Sequence, residues 1–276
     1  MFARREAPHN HADQSDIARP KLRFVQARRL SVALLDCSSQ PLMSNETPTL
    51  GSQRLLQLAV NGRPELLQSA LRKSGAIDQC ESVTWISPLA SESYTEYRDQ
   101  RALDKLELRG KLSKPLREFW PARGPVWDAL GVSSKGRPVI VEAKAHIPEA
   151  ASPGTKAAPK SLELIEQSLQ ATRKYLAPRA SASWTGTFYQ YANRLAYQYF
   201  LRVLNSLDSS LVFLDFTNAV DMDGPATEEE WRGAIRMIHA VLGLPANLEY
   251  FGVYHAFMDA RAVADLQSNH RMESDA

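Results

Sequence analysis

Short apolar runs bounded by Gly, Pro and Ser alternate along this chain with longer segments in which apolar positions recur every three to four residues. That pattern predicts strands interleaved with helices. Leu55, Leu56, Leu58 and Val60 mark a helix over 54–60. Asn61-Gly62-Arg63-Pro64 reads as a turn. A second helix over 64–73 has Pro64 at its first position, basic residues in its last turn and Gly75 beyond it. Residues 82–86 predict a short strand stopped by Ser87-Pro88, 94–108 a helix, and 114–120 a short helix between Ser113 and Pro121. Two strands follow in quick succession, over 126–132 and 137–145. A loop rich in Ala, Pro, Ser and Gly then leads to helices over 161–176, with Ser161 as N-cap, and 183–207. A strand over 211–216, a helix capped by Thr227 over 228–242 and a strand over 249–257 complete the series. Strands interspersed with helices predict an α/β protein with a mixed sheet.

The ends differ from the middle. Residues 1–48 mix His, Asn, Asp, Gln and Arg without a sustained period and are expected to be a disordered extension; Met43 offers an alternative start. The one apolar stretch there, Leu30-Ser-Val-Ala-Leu-Leu35, is too short and too far from the start for a signal peptide, and Asp36 before Cys37 is wrong for a lipoprotein site. Residues 49–265 are expected to form one domain and 266–276 a loose tail. No apolar run approaches the ~18–20 residues of a membrane span. Two cysteines make no disulfide framework, so a reducing, cytoplasmic setting is expected.

Charge narrows the partners. The chain carries +2 overall. Residues 1–30 hold seven Lys/Arg and three Asp/Glu, so the folded part is slightly acidic and lacks the strongly basic balance of a non-specific nucleic-acid binder. Any contact with phosphates must use a local patch. The segment 105–123 supplies one, with Lys105, Arg109, Lys111, Lys114, Arg117 and Arg123 against Glu107 and Glu118; it reads equally as a solvated surface.

The candidate chemistry lies in Asp128…Glu142-Ala-Lys144, which contains the only acid-x-Lys triplet of the chain. On a strand, Ile140, Glu142 and Lys144 share one side while Val139, Val141 and Ala143 share the other. Both faces are otherwise apolar, so the strand is expected to be central and covered twice, where charges are costly unless paired or bound. Ser134-Lys135-Gly136 suits a three-residue hairpin loop with Gly in the left-handed conformation. Centring the turn on Lys135 sets Asp128 opposite Glu142, with Cβ atoms about 4.5–5.5 Å apart. Two carboxylates so close need a shared proton or a cation, and a hard divalent ion fits. The competing reading is an ordinary salt bridge to Lys144.

This arrangement resembles the PD-(D/E)XK nuclease superfamily, over roughly residues 90–220. Trp127 rather than Pro precedes the Asp here, with Pro125 three residues back. The resemblance implies a restriction-endonuclease-like mixed central β-sheet flanked by helices. It implies Asp128 and Glu142 as ligands of Mg²⁺ or Mn²⁺, the Ala143 carbonyl as a further ligand, and Lys144 orienting water or stabilising phosphate charge. An acid from a preceding helix often completes such sites; Glu96 and Glu118 are the candidates. The implied activity is hydrolysis of phosphodiester bonds in nucleic acid, with DNA favoured. The alternative is a catalytically inactive nucleic-acid-binding or assembly module on the same fold. Gln190, Asn193 and Arg194 share a face of one predicted helix and are candidate substrate contacts or supports for the acids. His146 follows on the strand face as a possible ligand or proton donor, although a strand-end polar role is commoner. Asp215, a charge inside an apolar strand, is expected to pair with Lys144 or Arg194. Trp120, Trp127, Trp184 and Trp231 read as core fillers. No Gly-rich phosphate loop, nucleophile elbow or Ser/His/Asp arrangement supports another enzyme class.

Overall fold

The computed structural model describes residues 51–264. The extension expected over 1–48 and the tail expected over 266–276 lie outside them. Two helices, α1 (Gly51–Gly62) and α2 (Pro64–Lys73), open the fold, followed by strand β1 (Val83–Ser87). A two-residue strand β2 (Tyr97–Arg98) leads into α3 (Asp99–Lys105), and then come β3 (Val126–Trp127), β4 (Ala129–Ser133) and β5 (Pro138–Lys144). After the single turn α4 (Ile147–Ala150) come the long helices α5 (Pro159–Leu176) and α6 (Tyr189–Tyr199). Strand β6 (Ser210–Thr217), α7 (Glu228–Leu242), β7 (Val253–Asp259) and α8 (Ala260–Ala264) finish the described chain.

The five long strands form one mixed sheet in the order β1-β4-β5-β6-β7. β1 and β4 pair antiparallel, as do β4 and β5, whereas β5, β6 and β7 run parallel. β2 and β3 make a separate two-stranded ribbon. Each face of the sheet has its own apolar layer. Val139, Val141, Ala143, Val212 and Leu214 pack with α1, α2 and α8 on one side. Ile140, Leu211 and Phe213 pack with residues of α3, α5, α6 and α7 on the other. β5 is therefore central and covered twice, as the apolar residues on both of its faces predict, and Pro138–Ala143 are all buried.

Local chemistry explains the element ends. Ser133 O accepts from Gly136 N at 2.8 Å, and Gly136 takes φ +76°, which is the left-handed position the hairpin needs. Thr227 and Glu230 form a capping box at the start of α7, and Gly243 ends it with φ +69°. Other expectations needed correction. The helix foreseen over 94–108 begins only at Asp99, because Tyr97–Arg98 pair as β2 with β3. That foreseen over 114–120 is a 3-10 turn, Leu116–Glu118. α5 is capped at Ala158 and opens on Pro159, so Ser161 lies inside it. The helix foreseen over 183–207 starts at Tyr189 after a left-handed Phe188 and loosens into a π-turn at Phe200–Leu204. The four tryptophans read as core fillers are buried. Among the described residues no helix is long and apolar enough to cross a membrane.

Candidate functional site

The β4–β5 register runs Val132↔Pro138, Gly131↔Val139, Leu130↔Ile140 and Ala129↔Val141. The ladder stops at that pair, one residue short of the Asp128–Glu142 opposition that the turn predicts. Asp128 sits in the break between β3 and β4, where its Oδ2 accepts from Ala143 N at 2.7 Å. The tip of this hairpin is tied down from outside. Ser134 N donates to Ser82 O, Lys135 pairs with Asp78, and Arg137 pairs with the buried Glu81 at 2.8 Å.

Glu142 is 1% exposed and lies between two cations. Lys144 Nζ reaches its Oε1 at 2.5 Å, while Arg194 Nε and Nη2 reach its Oε2 at 2.6 and 2.5 Å. Burial alone would raise the Glu142 carboxyl, but the charges of Arg194 and Lys144 outweigh it and hold the group below the usual carboxylate range. Lys144 moves the opposite way: burial disfavours its charge, yet Glu142 and Asp128 raise it above its ordinary value. Asp128 lacks a cation of its own. Desolvation first, and the charge of Glu142 second, push its carboxyl up to about 8.

Arg194 is the centre of the arrangement. It projects from α6, is itself 3% exposed, donates from Nη2 to Val126 O at 2.8 Å and from Nη1 to Asn193 Oδ1 at 2.9 Å, and stacks 4.8 Å over the Trp127 ring. Arg194 thus acts on the acid Glu142, and Asn193 acts on Arg194. The Gln190 side chain lines a narrow cleft with Glu142 and Lys144.

Neither accessory acid lies on an α-helix. Glu96 lies just before β2, whose Tyr97 pairs with Trp127. Glu96 accepts from Gln53 Nε2 of α1 at 2.6 Å. Burial raises its carboxyl against that hydrogen bond, and the Glu142 charge adds to the rise. Of the other two acids, Glu96 thus feels the charge of Glu142. Glu118 is exposed on its 3-10 turn, and no hydrogen bond or ion pair ties it to Asp128 or Glu142. His146 falls beyond the end of β5, not on its face, and its Nδ1 lies 3.2 Å from Glu149 Oε1. In the basic segment, Lys105 is taken by Glu92 and Arg109 by Asp104, which leaves a weaker patch than the residue count suggests.

Across the parallel strands, Lys144 registers with Asp215 and then Phe257, and Glu142 with Phe213 and then His255. Asp215 therefore stands beside Lys144 on the site face, but the side chain it meets is His255, whose Nδ1 is 3.4 Å from Asp215 Oδ2. His255 Nε2 and His239 Nε2 both approach the Tyr191 hydroxyl, at 3.1 and 2.8 Å. The pattern of residues gave no sign of this cluster, since Tyr191 reads as a core aromatic and both histidines stand alone in their segments.

Two carboxylates and a backbone carbonyl are hard oxygen donors of the kind Mg²⁺ and Mn²⁺ take. Asp128 would have to give up its proton to such an ion, while Arg194 and Lys144 compete for Glu142. Among the described residues no group of three or more His, Cys, Asp or Glu side chains is set to hold a metal as it stands. No family model, curated protein or solved structure matches this chain.

Proposed function

We propose that this protein is a Mg²⁺- or Mn²⁺-dependent hydrolase of phosphodiester bonds in nucleic acid, DNA before RNA, on a restriction-endonuclease-like sheet. The observation that carries this reading is the closeness of three groups: Asp128 accepts from the amide of Ala143, between Glu142 and Lys144 in sequence, and the charges of both act on its carboxyl. Burial first and the Glu142 charge second push the Asp128 carboxyl up to about 8, so a bound cation would favour its ionised form. Asp128, Glu142 and the Ala143 carbonyl would hold the ion, with Glu96 beside them. Bound there, the ion supplies positive charge against the phosphate and a more acidic water. Lys144 orients that water or meets the charge that builds on the phosphoryl oxygens, and Arg194 holds Glu142 in place and ionised.

The test is cleavage of plasmid and single-stranded DNA with Mn²⁺ by the wild type, Asp128→Ala and Lys144→Ala. Activity in the wild type alone supports the reading; equal activity in all three removes it. One observation favours a second reading, a binding or assembly module without catalysis: both oxygens of Glu142 are already taken, by Lys144 and Arg194. In that case calorimetry finds no binding of Mg²⁺ or Mn²⁺, and Lys144→Ala loses stability and nothing else.

A further inference from the structure

β7 ends the sheet, and among the described residues no strand pairs with its outer side. Gly252 O accepts from Leu211 N, at the start of β6, at 2.8 Å, whereas Val253 N turns away to Leu248 O at 3.3 Å. Peptide groups alternate along a strand. Tyr254, Ala256 and Met258 therefore bond β6, while His255 and Phe257 aim their N–H and C=O at the open edge. A groove of about 330 Å³ runs along that edge. One wall of it is α7, from Arg232, stacked 4.7 Å over the Phe257 ring, to His239, beside His255. The opposite edge of the sheet is blunted: β1 has five residues, its register shifts between Trp85 and Ser87, and Pro88 follows it.

We propose that the β7 edge takes an extended acidic segment of another protein as an added strand, with acid-x-acid spacing on the side that faces α7. This goes beyond the hydrolase reading and does not depend on it. Arg232 and Arg236 are four residues apart on the helix, about 6 Å along its axis. Side chains on one face of an extended strand repeat about every 6.6–6.8 Å, so two alternate acids meet the two guanidiniums. Arg236 is exposed; its Nε donates to Arg232 O at 3.2 Å, and among the described residues no carboxylate pairs with it. Arg232 shares Glu228 with Lys73 of α2. Glu249 is the one acid that lines the groove, so the two arginines outnumber it. The backbone selects the kind of partner. The open C=O groups of His255 and Phe257 need donors, which the phosphates of a nucleic acid lack and a peptide backbone supplies along with acceptors. A second copy pairing β7 with β7 would set its own α7 arginines against these, like charge against like.

Fluorescence anisotropy of the full chain with a labelled peptide, Thr-Val-Glu-Val-Glu-Val-Thr, tests this. Saturable binding is expected, weakened at least ten-fold by Arg236→Glu, an exposed change that leaves the circular dichroism of the wild type intact. The same peptide with lysine for both glutamates is expected to bind the double variant Arg232→Glu, Arg236→Glu more tightly than the wild type. N-methylation of both glutamates and N-methylation of the valines block opposite sides of the added strand. One of those two peptides is expected to lose at least ten-fold in affinity and the other to keep it. Equal losses, or none, overturn strand addition, and a wild type that does not bind the parent peptide overturns the inference as a whole. Binding of a labelled oligothymidylate that Arg236→Glu abolishes overturns it in favour of nucleic acid. A wild-type dimer in sedimentation that the peptide cannot bind overturns it in favour of a second copy.

Discussion

Glu142 keeps its charge at 1% exposure because two cations share its carboxylate, and only one of them, Arg194, is itself fully buried. Removing one partner of a buried pair strands the other, which typically costs about 3–5 kcal/mol. Arg194→Met is therefore expected to lose stability in that range in urea unfolding, and the double variant with Glu142→Gln to lose less than the two single losses together. Asp128 is expected to behave in the opposite sense. Its unfolded value near 3.9 and its folded value of about 8 mean that the folded state holds a proton the unfolded chain has lost. Its contribution is fully present below about pH 4 and disappears as pH climbs towards 8. Asp128→Asn should accordingly be more stable than the wild type at pH 9, by ~1–3 kcal/mol, and no more stable at pH 4. A variant without that pH trend would show that Asp128 is well solvated.

Between the two strands that carry the acids, register depends on a single turn. Gly136 has φ +76° and open space around it, so Gly136→Ala meets no neighbour and loses only the left-handed preference, about 1–2 kcal/mol by thermal unfolding. This is also why the hairpin is legible in the sequence: turn chemistry and strand alternation are local, and together they bring Asp128 near the Glu142-Ala-Lys144 segment, where it accepts from the Ala143 amide. The Glu142 clamp was not legible in the same way. Arg194 stands on the face of α6 picked out by its amides, but nothing within α6 says that this face turns onto a residue 52 positions earlier. The cluster of Tyr191, His239 and His255 was hidden for the same reason, being assembled from α6, α7 and β7 only when the parallel strands align. Helix ends were misread where tertiary pairing overrode periodicity. Asp99 starts α3 with φ +50°, its carboxylate accepting from Arg123 N and Gly124 N, an anchor no period of apolar residues announces.

At the scale of the molecule, ion binding and protonation of the acids are coupled. A ligand that binds only the folded state adds stability by mass action, about 2.7 kcal/mol at a hundred times its Kd. Mn²⁺ is expected to raise the melting temperature of the wild type more at pH 8.5 than at pH 6, because Asp128 must give up its proton to coordinate. Asp128→Asn should show little or none of this, and an increase equal in both proteins would place the ion elsewhere.

Glu96, Asp128 and Glu142 come from different stretches of chain, steadied by Gln53 of α1, the amide of Ala143 and the guanidinium of Arg194. Contacts that far apart in sequence close slowly, after the entropy of long loops has been lost. During refolding, helical ellipticity should therefore return well ahead of the clamp on Glu142. The indole of Trp127, lying directly beneath Arg194, is placed to signal the moment that clamp shuts.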